Sequence, residues 1–148
     1  MSHEQRIISD ITSAHEDAIA DVNRWWGHCL ELFARIEQTL AEKLVANQRT
    51  VPQAILAKLS AVAELLTRPK AKTLERLRQL AEARNLIVHA TSSVWIDAND
   101  NWLWAYRFIP TGKDKAPIEG HWDRHRARAF EKELSSMAQS LRDQLRSK

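Results

Sequence analysis

Arg84, Asn85 and His89 are polar side chains at the end of an otherwise apolar helical segment. On a helix, Asn85 and His89 lie four positions apart and share a face, so the amide can hydrogen-bond one imidazole nitrogen and fix its tautomer. The long side chain of Arg84 can curl over the same turn. The segment thus combines a permanent cation with a titrating base, the groups that charge stabilisation and proton transfer require.

Arg84 also allows a purely structural interpretation. It continues an apolar stripe of the same helix, formed by Leu77, Ala81 and Val88. A charge on a face that packs against other helices needs a partner, because an unpaired buried charge is strongly destabilising. An acid of the first helix, such as Glu31 or Glu37, could form that ion pair. In this interpretation His89 only interacts favourably with the helix C-terminus.

Two further sets of residues could bind a ligand. His121 and His125 are four apart and could hold one metal ion, but no Cys or third His is placed to complete a zinc set. The sequence has no Gly-rich phosphate loop and no nucleophile elbow, so we predict neither a metal nor a cofactor. The same stretch is rich in arginine, which permits contact with phosphates but is equally typical of a solvated helix face.

Aromatic residues alternate in the segment that follows His89. Trp102, Trp104 and Tyr106 have the spacing of base-stacking residues on a strand, and equally that of a strand face packed on helices or on a partner. Exposed aromatics would form an apolar patch that a soluble protein usually covers. We therefore expect Trp102 and Trp104 to be buried.

Apolar periodicity predicts four helices that position these residues. The first helix covers about residues 17–47; it either extends back to about Ser9 or is preceded by a short separate helix. The second covers about 51–67, with a capping box at Thr50 and Gln53. The third follows a basic break at residues 68–72 and carries Arg84 and His89. The fourth covers about 122–146.

Between the third and fourth helices the apolar period changes to two. This pattern predicts a β-hairpin over about residues 93–109 with a polar turn at 97–101, followed by a loop at 110–120. The predicted fold is all-α, a four-helix up-and-down bundle with a β-hairpin inserted between helices 3 and 4. We expect one domain over residues 1–148.

Composition agrees with a small globular protein. The 148 residues are 44% hydrophobic with three Gly and four Pro, which is typical of a helix-rich domain. No apolar run is long enough to cross a membrane, and the single cysteine, Cys29, fits a reducing compartment and a core position. We predict a cytoplasmic protein without a membrane partner, whose net charge of +3 permits but does not require nucleic acid binding.

Residues 84–90, with the sequence RNLIVHA, resemble the signature of the HEPN superfamily, in which an Arg and a His are separated by four to six residues. The polar residue after Arg84, the apolar triplet and the small residue after His89 all match that signature. The four predicted helices agree with the superfamily's helical frame. The Trp-rich hairpin looks like an insertion found in only some relatives.

The resemblance implies a two-fold dimer that brings two copies of the motif into one cleft. It implies an endoribonuclease that cleaves RNA without metal, and a role as a toxin or defence effector with a cognate antitoxin is one that such an enzyme can have. His89 would transfer protons, Arg84 would stabilise charge on the phosphoryl oxygens, and Asn85 would orient His89 or the phosphate. The products would be a 2′,3′-cyclic phosphate and a 5′-hydroxyl. Many relatives are inactive, so a scaffold that binds RNA, nucleotide or a protein partner is the alternative.

Overall fold

A computed structural model describes residues 2–66, 68–97, 99, 101–112 and 115–146. In chain order the elements are α1 (His3–Ala46), α2 (Ile55–Ala63), α3 (Arg68–Val88), β1 (Thr91–Ile96), β2 (Trp102–Phe108), β3 (Ile118–Asp123) and α4 (Arg124–Arg146). The predicted all-α class is wrong, because β1, β2 and β3 form a three-stranded antiparallel sheet in that order. The described chain forms two compact units, Met1–Gly27 with Ile87–Ala129, and His28–Leu86 with Phe130–Lys148.

The helix boundaries differ from the predicted ones mainly at the ends. One helix, α1, starts well before Ser9 and continues to Ala46, with no separate helix ahead of it. Helix α3 includes the basic break that was expected to precede it. Pro69 stands in its first turn, where proline is tolerated because the first amides of a helix have no intrahelical acceptor.

The capping box predicted at the start of the second helix is wrong. Helix α2 begins at Ile55, and Ala54 precedes it without a side-chain cap. The carbonyl of Gln53 instead accepts a hydrogen bond from Lys58 Nζ at 2.7 Å, and the same ammonium pairs with Glu37 of α1 at 2.7 Å. Helix α2 ends at Ala63, and Thr67, the predicted end, lies outside the described residues.

In the unit of His28–Leu86 and Phe130–Lys148, segments of all four helices share one apolar core. Its buried side chains are Cys29, Phe33, Ile36, Leu40 and Leu44 of α1, Ile55, Leu59 and Val62 of α2, Leu74, Leu77 and Leu80 of α3, and Phe130, Leu134 and Leu141 of α4. Polar contacts connect the same helices at the surface: Arg78 donates to Ser60 Oγ, and Arg76 Nη2 donates to Glu133 at 2.7 Å. Leu77 and Ala81 of the apolar stripe predicted on the third helix are buried, whereas Val88 of the same stripe is 44% exposed.

The predicted hairpin is confirmed in the other unit. Strands β1 and β2 pair from Thr91 with Arg107 to Ile96 with Trp102, and Asp97 accepts the amides of Asn99 and Asn101 in the turn. Two residues of the predicted turn, Ala98 and Asp100, lie outside the described residues.

The segment predicted as a loop and a helix start contains a third strand. Strand β3 pairs with β2 from Phe108 with Ile118 to Leu103 with Asp123, so Trp122 belongs to the sheet, and α4 begins after it. Gly120 interrupts the apolar alternation of β3 where it pairs with Tyr106. A Cβ at this position would lie 2.5 Å from the Tyr106 hydroxyl, so the fold favours glycine here. Glycine replaces the apolar residue that would have completed the alternation between Ile118 and Trp122, and the strand was therefore not recognised from the sequence.

One face of the sheet packs on α1 through tryptophan. The Trp25 indole lies 5.7–5.9 Å from those of Trp102, Trp104 and Trp122, and Trp25 Nε1 donates to the Ala127 carbonyl at 2.8 Å. Trp102 and Trp104 are only 3% and 6% exposed, so their predicted burial is confirmed. In the described parts of the chain, no helix is both long and apolar enough to cross a bilayer.

Candidate functional site

Arg84 lies near the C-terminal end of α3 and is half-buried. Its Nη1 donates to Asn85 Oδ1 at 2.9 Å, and its buried Nε has no hydrogen-bond partner. Within the described residues the guanidinium forms no ion pair, although it follows the buried Leu77 and Ala81 along the helix. The site therefore contains a partly desolvated cation that pairs with no acid in the described part of the chain.

The acids proposed as structural partners of Arg84 have other partners. Glu31 accepts a hydrogen bond from Arg35 one turn further along α1, and Glu37 pairs with Lys58 of α2. Lys58 is only 9% exposed, so this pair satisfies a cation that would otherwise be isolated in the core. Neither Glu31 nor Glu37 therefore forms the ion pair with Arg84 that the structural interpretation requires.

Asn85 does not have the contact predicted for it. The sequence places its amide one turn from His89, but the amide oxygen accepts from the neighbouring Arg84 instead. Adjacent side chains on a helix usually diverge, and the long arginine side chain makes this contact possible. Asn85 therefore orients the guanidinium, a role that the i, i+4 spacing did not suggest.

His89 is the first residue after α3 and is exposed. The helix closes with a hydrogen bond from the amide of Ala90 to the carbonyl of Ile87 at 3.2 Å, and β1 begins at Thr91. The imidazole makes no hydrogen bond to any residue that the structure describes. It is therefore accessible to a group outside the chain.

The two histidines considered as metal ligands lie on different elements. His121 is on β3 and His125 is in the first turn of α4, so the helical i, i+4 spacing assumed for them does not hold. Among the described residues, no group of three or more His, Cys, Asp or Glu side chains could hold a metal ion. Cys29 is fully buried. Burial and, as a smaller cause, the negative charge of Glu131 raise the pKa of its thiol to about 12.

The arginines near the start of α4 contact specific groups of the fold. Arg128 donates to Asp21 Oδ1 at 2.9 Å, and Arg124 lies 3.7 Å from the same carboxylate. The guanidinium of Arg126 stacks 4.4 Å from the centre of the Trp122 ring. These contacts favour a structural role. Asp21, which contacts both Arg124 and Arg128, was not singled out from the sequence because its hydrogen-bond partners Trp102 and Arg128 lie 81 and 107 positions away.

Comparison of the chain with protein-family models, with curated proteins and with solved structures finds no match. What the site can do is therefore inferred from its own residues.

Proposed function

We propose that the chain is a cytoplasmic, metal-independent endoribonuclease of the HEPN type, in which Arg84, Asn85 and His89 carry the chemistry. The observation that carries this proposal is the half-buried guanidinium of Arg84, which has no acidic partner among the described residues and is oriented by Asn85. An RNA phosphate would supply the missing anion.

Arg84 suits the charge that develops during phosphoryl transfer. A guanidinium has five N–H donors in a planar fork, of which one is bonded to Asn85. The Nε donor is buried, so the other Nη donors are the ones available to phosphoryl oxygens, with which arginine forms short, charge-assisted hydrogen bonds. Because the side chain is already oriented, little reorganisation would be needed in the transition state.

His89 suits the proton transfers. Imidazole titrates closer to neutral pH than any other side chain, and His89 is exposed. We assign it the removal of the proton from the ribose 2′-hydroxyl. The 2′-oxygen then bonds to phosphorus as the P–O5′ bond breaks, and a protonated imidazole supplies the proton that leaves with the 5′-oxygen. The products are a 2′,3′-cyclic phosphate and a 5′-hydroxyl, and DNA is spared because it lacks the nucleophile.

The alternative is a non-catalytic scaffold that binds RNA, nucleotide or a protein partner at the same residues. One contact favours it: Asn85 is bonded to Arg84 and leaves the His89 ring without an orienting partner. A base whose tautomer is not fixed is a weaker catalyst. An anion would still bind at Arg84 in such a protein.

The test is cleavage of mixed RNA in excess EDTA by the purified protein. We expect cleavage with cyclic-phosphate ends, no cleavage of DNA, and at least a ~100-fold loss in His89→Ala, the usual size of a lost acid–base group. His125→Ala is the matched control, because His125 is also an exposed histidine, and it should keep full activity.

Two results would contradict the nuclease. One is cleavage that His89→Ala leaves unchanged, which would indicate a contaminant. The other is an inert wild type, and if that protein also binds RNA in a way that Arg84→Ala abolishes, the scaffold is the correct function.

A further inference from the structure

A basic depression of about 350 Å³ lies between the C-terminal parts of α1 and α4, within the unit of His28–Leu86 and Phe130–Lys148. Its charged lining residues are Arg35, Glu42 and Lys43 of α1 and Arg142 and Arg146 of α4. Four of the nine lining residues are cationic and one is acidic. It shares no residue with the Arg84–His89 motif.

Three of these cations have no acidic partner in the described part of the chain. Arg35 donates to Glu31, and the carboxylate of Glu42 accepts from Gln38 Nε2 at 3.1 Å. Lys43, Arg142 and Arg146 form no ion pair with a described residue. Among the described residues that line the depression, positive charges therefore outnumber negative ones.

The cations are not needed to cap the end of α1. The carbonyl of Lys43 accepts from the amide and the side chain of Asn47, at 3.2 and 2.8 Å. The carbonyl of Leu44 accepts from the amide of Arg49 at 2.9 Å, and Gln48 adopts the left-handed conformation that typically ends a helix. A helix dipole favours cations only in the last turn of its own helix. Arg142 lies before the last turn of α4, so the dipole of α4 does not account for it.

The arrangement on α4 is unfavourable without a ligand. Arg142 and Arg146 are four positions apart on one helix face, where like charges destabilise a helix. A bound anion would attract both guanidinium groups and so offset their mutual repulsion. Guanidinium groups form paired hydrogen bonds with phosphate oxygens, and an ammonium adds a compact positive charge, so two arginines and a lysine favour a phosphate group.

We propose that this depression, which we call the α1–α4 basic groove, binds a phosphate group through Lys43, Arg142 and Arg146. A phosphodiester of a nucleic acid and a free di- or polyphosphate present the same chemistry. The groove is independent of the proposed nuclease chemistry, and its test does not measure cleavage.

The experiment measures binding of two probes to the intact protein. One is a fluorescein-labelled single-stranded DNA, which keeps the phosphodiester but lacks the 2′-hydroxyl that cleavage requires; the other is inorganic pyrophosphate, followed by calorimetry. The test variant is Arg142→Gln/Arg146→Gln. The control is Lys72→Gln/Lys132→Gln, which removes the same charge from exposed positions elsewhere on α3 and α4.

We expect the test variant to weaken binding of at least one probe by tenfold or more, while the control changes it less than about threefold. If the oligonucleotide binds, the slope of log affinity against log salt should fall by about two in the test variant, about one for each phosphate contact removed. Binding of pyrophosphate alone would assign the groove to free phosphates. Binding of the oligonucleotide alone would assign it to a nucleic acid backbone.

Folding is checked independently. If the double variant unfolds, Lys43→Gln replaces it, with an expected loss of about threefold or more. Equal losses in test and control variants would show a non-specific effect of net charge and overturn the proposal. So would failure of both probes to bind the wild type below millimolar concentration.

Discussion

Asp21 of α1 connects three elements of its unit, because it contacts both β2 and α4. Its carboxylate accepts from Trp102 Nε1 of β2 at 2.6 Å and from Arg128 Nη2 of α4 at 2.9 Å, and Arg124 and Arg24 lie within 4 Å. Burial raises the pKa of this carboxyl, but the hydrogen bond from Trp102 and the three guanidinium groups outweigh burial and leave the pKa below its ordinary value.

This lowered pKa gives a pH prediction. A carboxyl whose pKa is lower in the folded than in the unfolded chain contributes stability that is complete above the unfolded value, 3.8, and is lost as the pH falls below it. Asp21→Asn should therefore destabilise the protein at pH 7 by about 2 kcal/mol, the size of a charge-assisted hydrogen bond. The difference from wild type should shrink in urea titrations at pH 3 and below.

Some acid sensitivity should remain in Asp21→Asn, because the hydrogen bond from Arg76 also lowers the pKa of Glu133. If Asp21→Asn were destabilised by the same amount at pH 7 and at pH 3, protonation of Asp21 would not contribute to the loss of stability at low pH.

At the scale of elements, regular periodicity was enough to predict the helices and the hairpin. Polar residues 97–101 between two alternating runs predicted a turn, and Asp97 forms it by accepting two backbone amides. The predicted start of α2 was wrong, since the helix begins at Ile55. Near this start the Lys58 ammonium bonds to Glu37, 21 positions away, and to the Gln53 carbonyl, contacts that local capping rules do not consider.

The candidate site was predicted to a similar extent. Residue types and spacing singled out Arg84, Asn85 and His89, and the structure places them at the end of α3 and directly after it. The partners of these side chains were not predictable, because they depend on which acids other cations have already engaged. In the structure Glu37 pairs with Lys58 and Glu31 with Arg35, while Arg84 donates to Asn85.

Two glycines of different elements should respond to alanine with opposite signs. Gly27 lies within α1, and a Cβ there would meet nothing within 4 Å, so Gly27→Ala should stabilise the protein by about 0.5–1 kcal/mol through helix propensity. Gly120→Ala should destabilise it by about 1–3 kcal/mol, because the new methyl group overlaps the Tyr106 ring. Thermal and urea unfolding measure both.

Tyr106→Leu provides the control for Gly120, since it removes the hydroxyl that the methyl group would meet. In that background Gly120→Ala should lose most of its cost. If Gly120→Ala were equally destabilising in the wild type and in Tyr106→Leu, overlap with the Tyr106 side chain would not be the cause.

The packing of the sheet on α1 gives a further prediction. Trp104 contacts both Trp25 and Trp26 of the helix, with ring centres 5.7 and 6.0 Å away. Trp104→Ala should therefore lower the free energy of unfolding by roughly 3–5 kcal/mol, the usual cost of deleting a buried aromatic. Trp95→Ala is the control, because Trp95 is 62% exposed and should cost little. An unchanged melting temperature for Trp104→Ala, with weaker RNA binding, would support base stacking instead.

At the scale of the whole molecule, a single chain does not supply all the catalytic groups from which the proposed reaction benefits. Cleavage benefits from a base at the 2′-oxygen and an acid at the 5′-oxygen, whereas the motif provides a single histidine, His89. A two-fold axis would place the His89 residues of two chains in one cleft, since a symmetric dimer presents the same patch from both subunits. Val88, which precedes His89, is 44% exposed and could be covered in such a dimer.

We therefore predict that the protein is a two-fold dimer at micromolar concentration, with twice the chain mass of 17.0 kDa in light scattering. Mixed dimers of wild type and His89→Ala should retain at most partial RNA cleavage, because each contains one imidazole where the reaction uses two. Mixed dimers of wild type and His125→Ala should be fully active and control for the mixing. A particle of 17.0 kDa that still cleaves RNA would show that one chain contains the whole site and that the composite cleft is wrong.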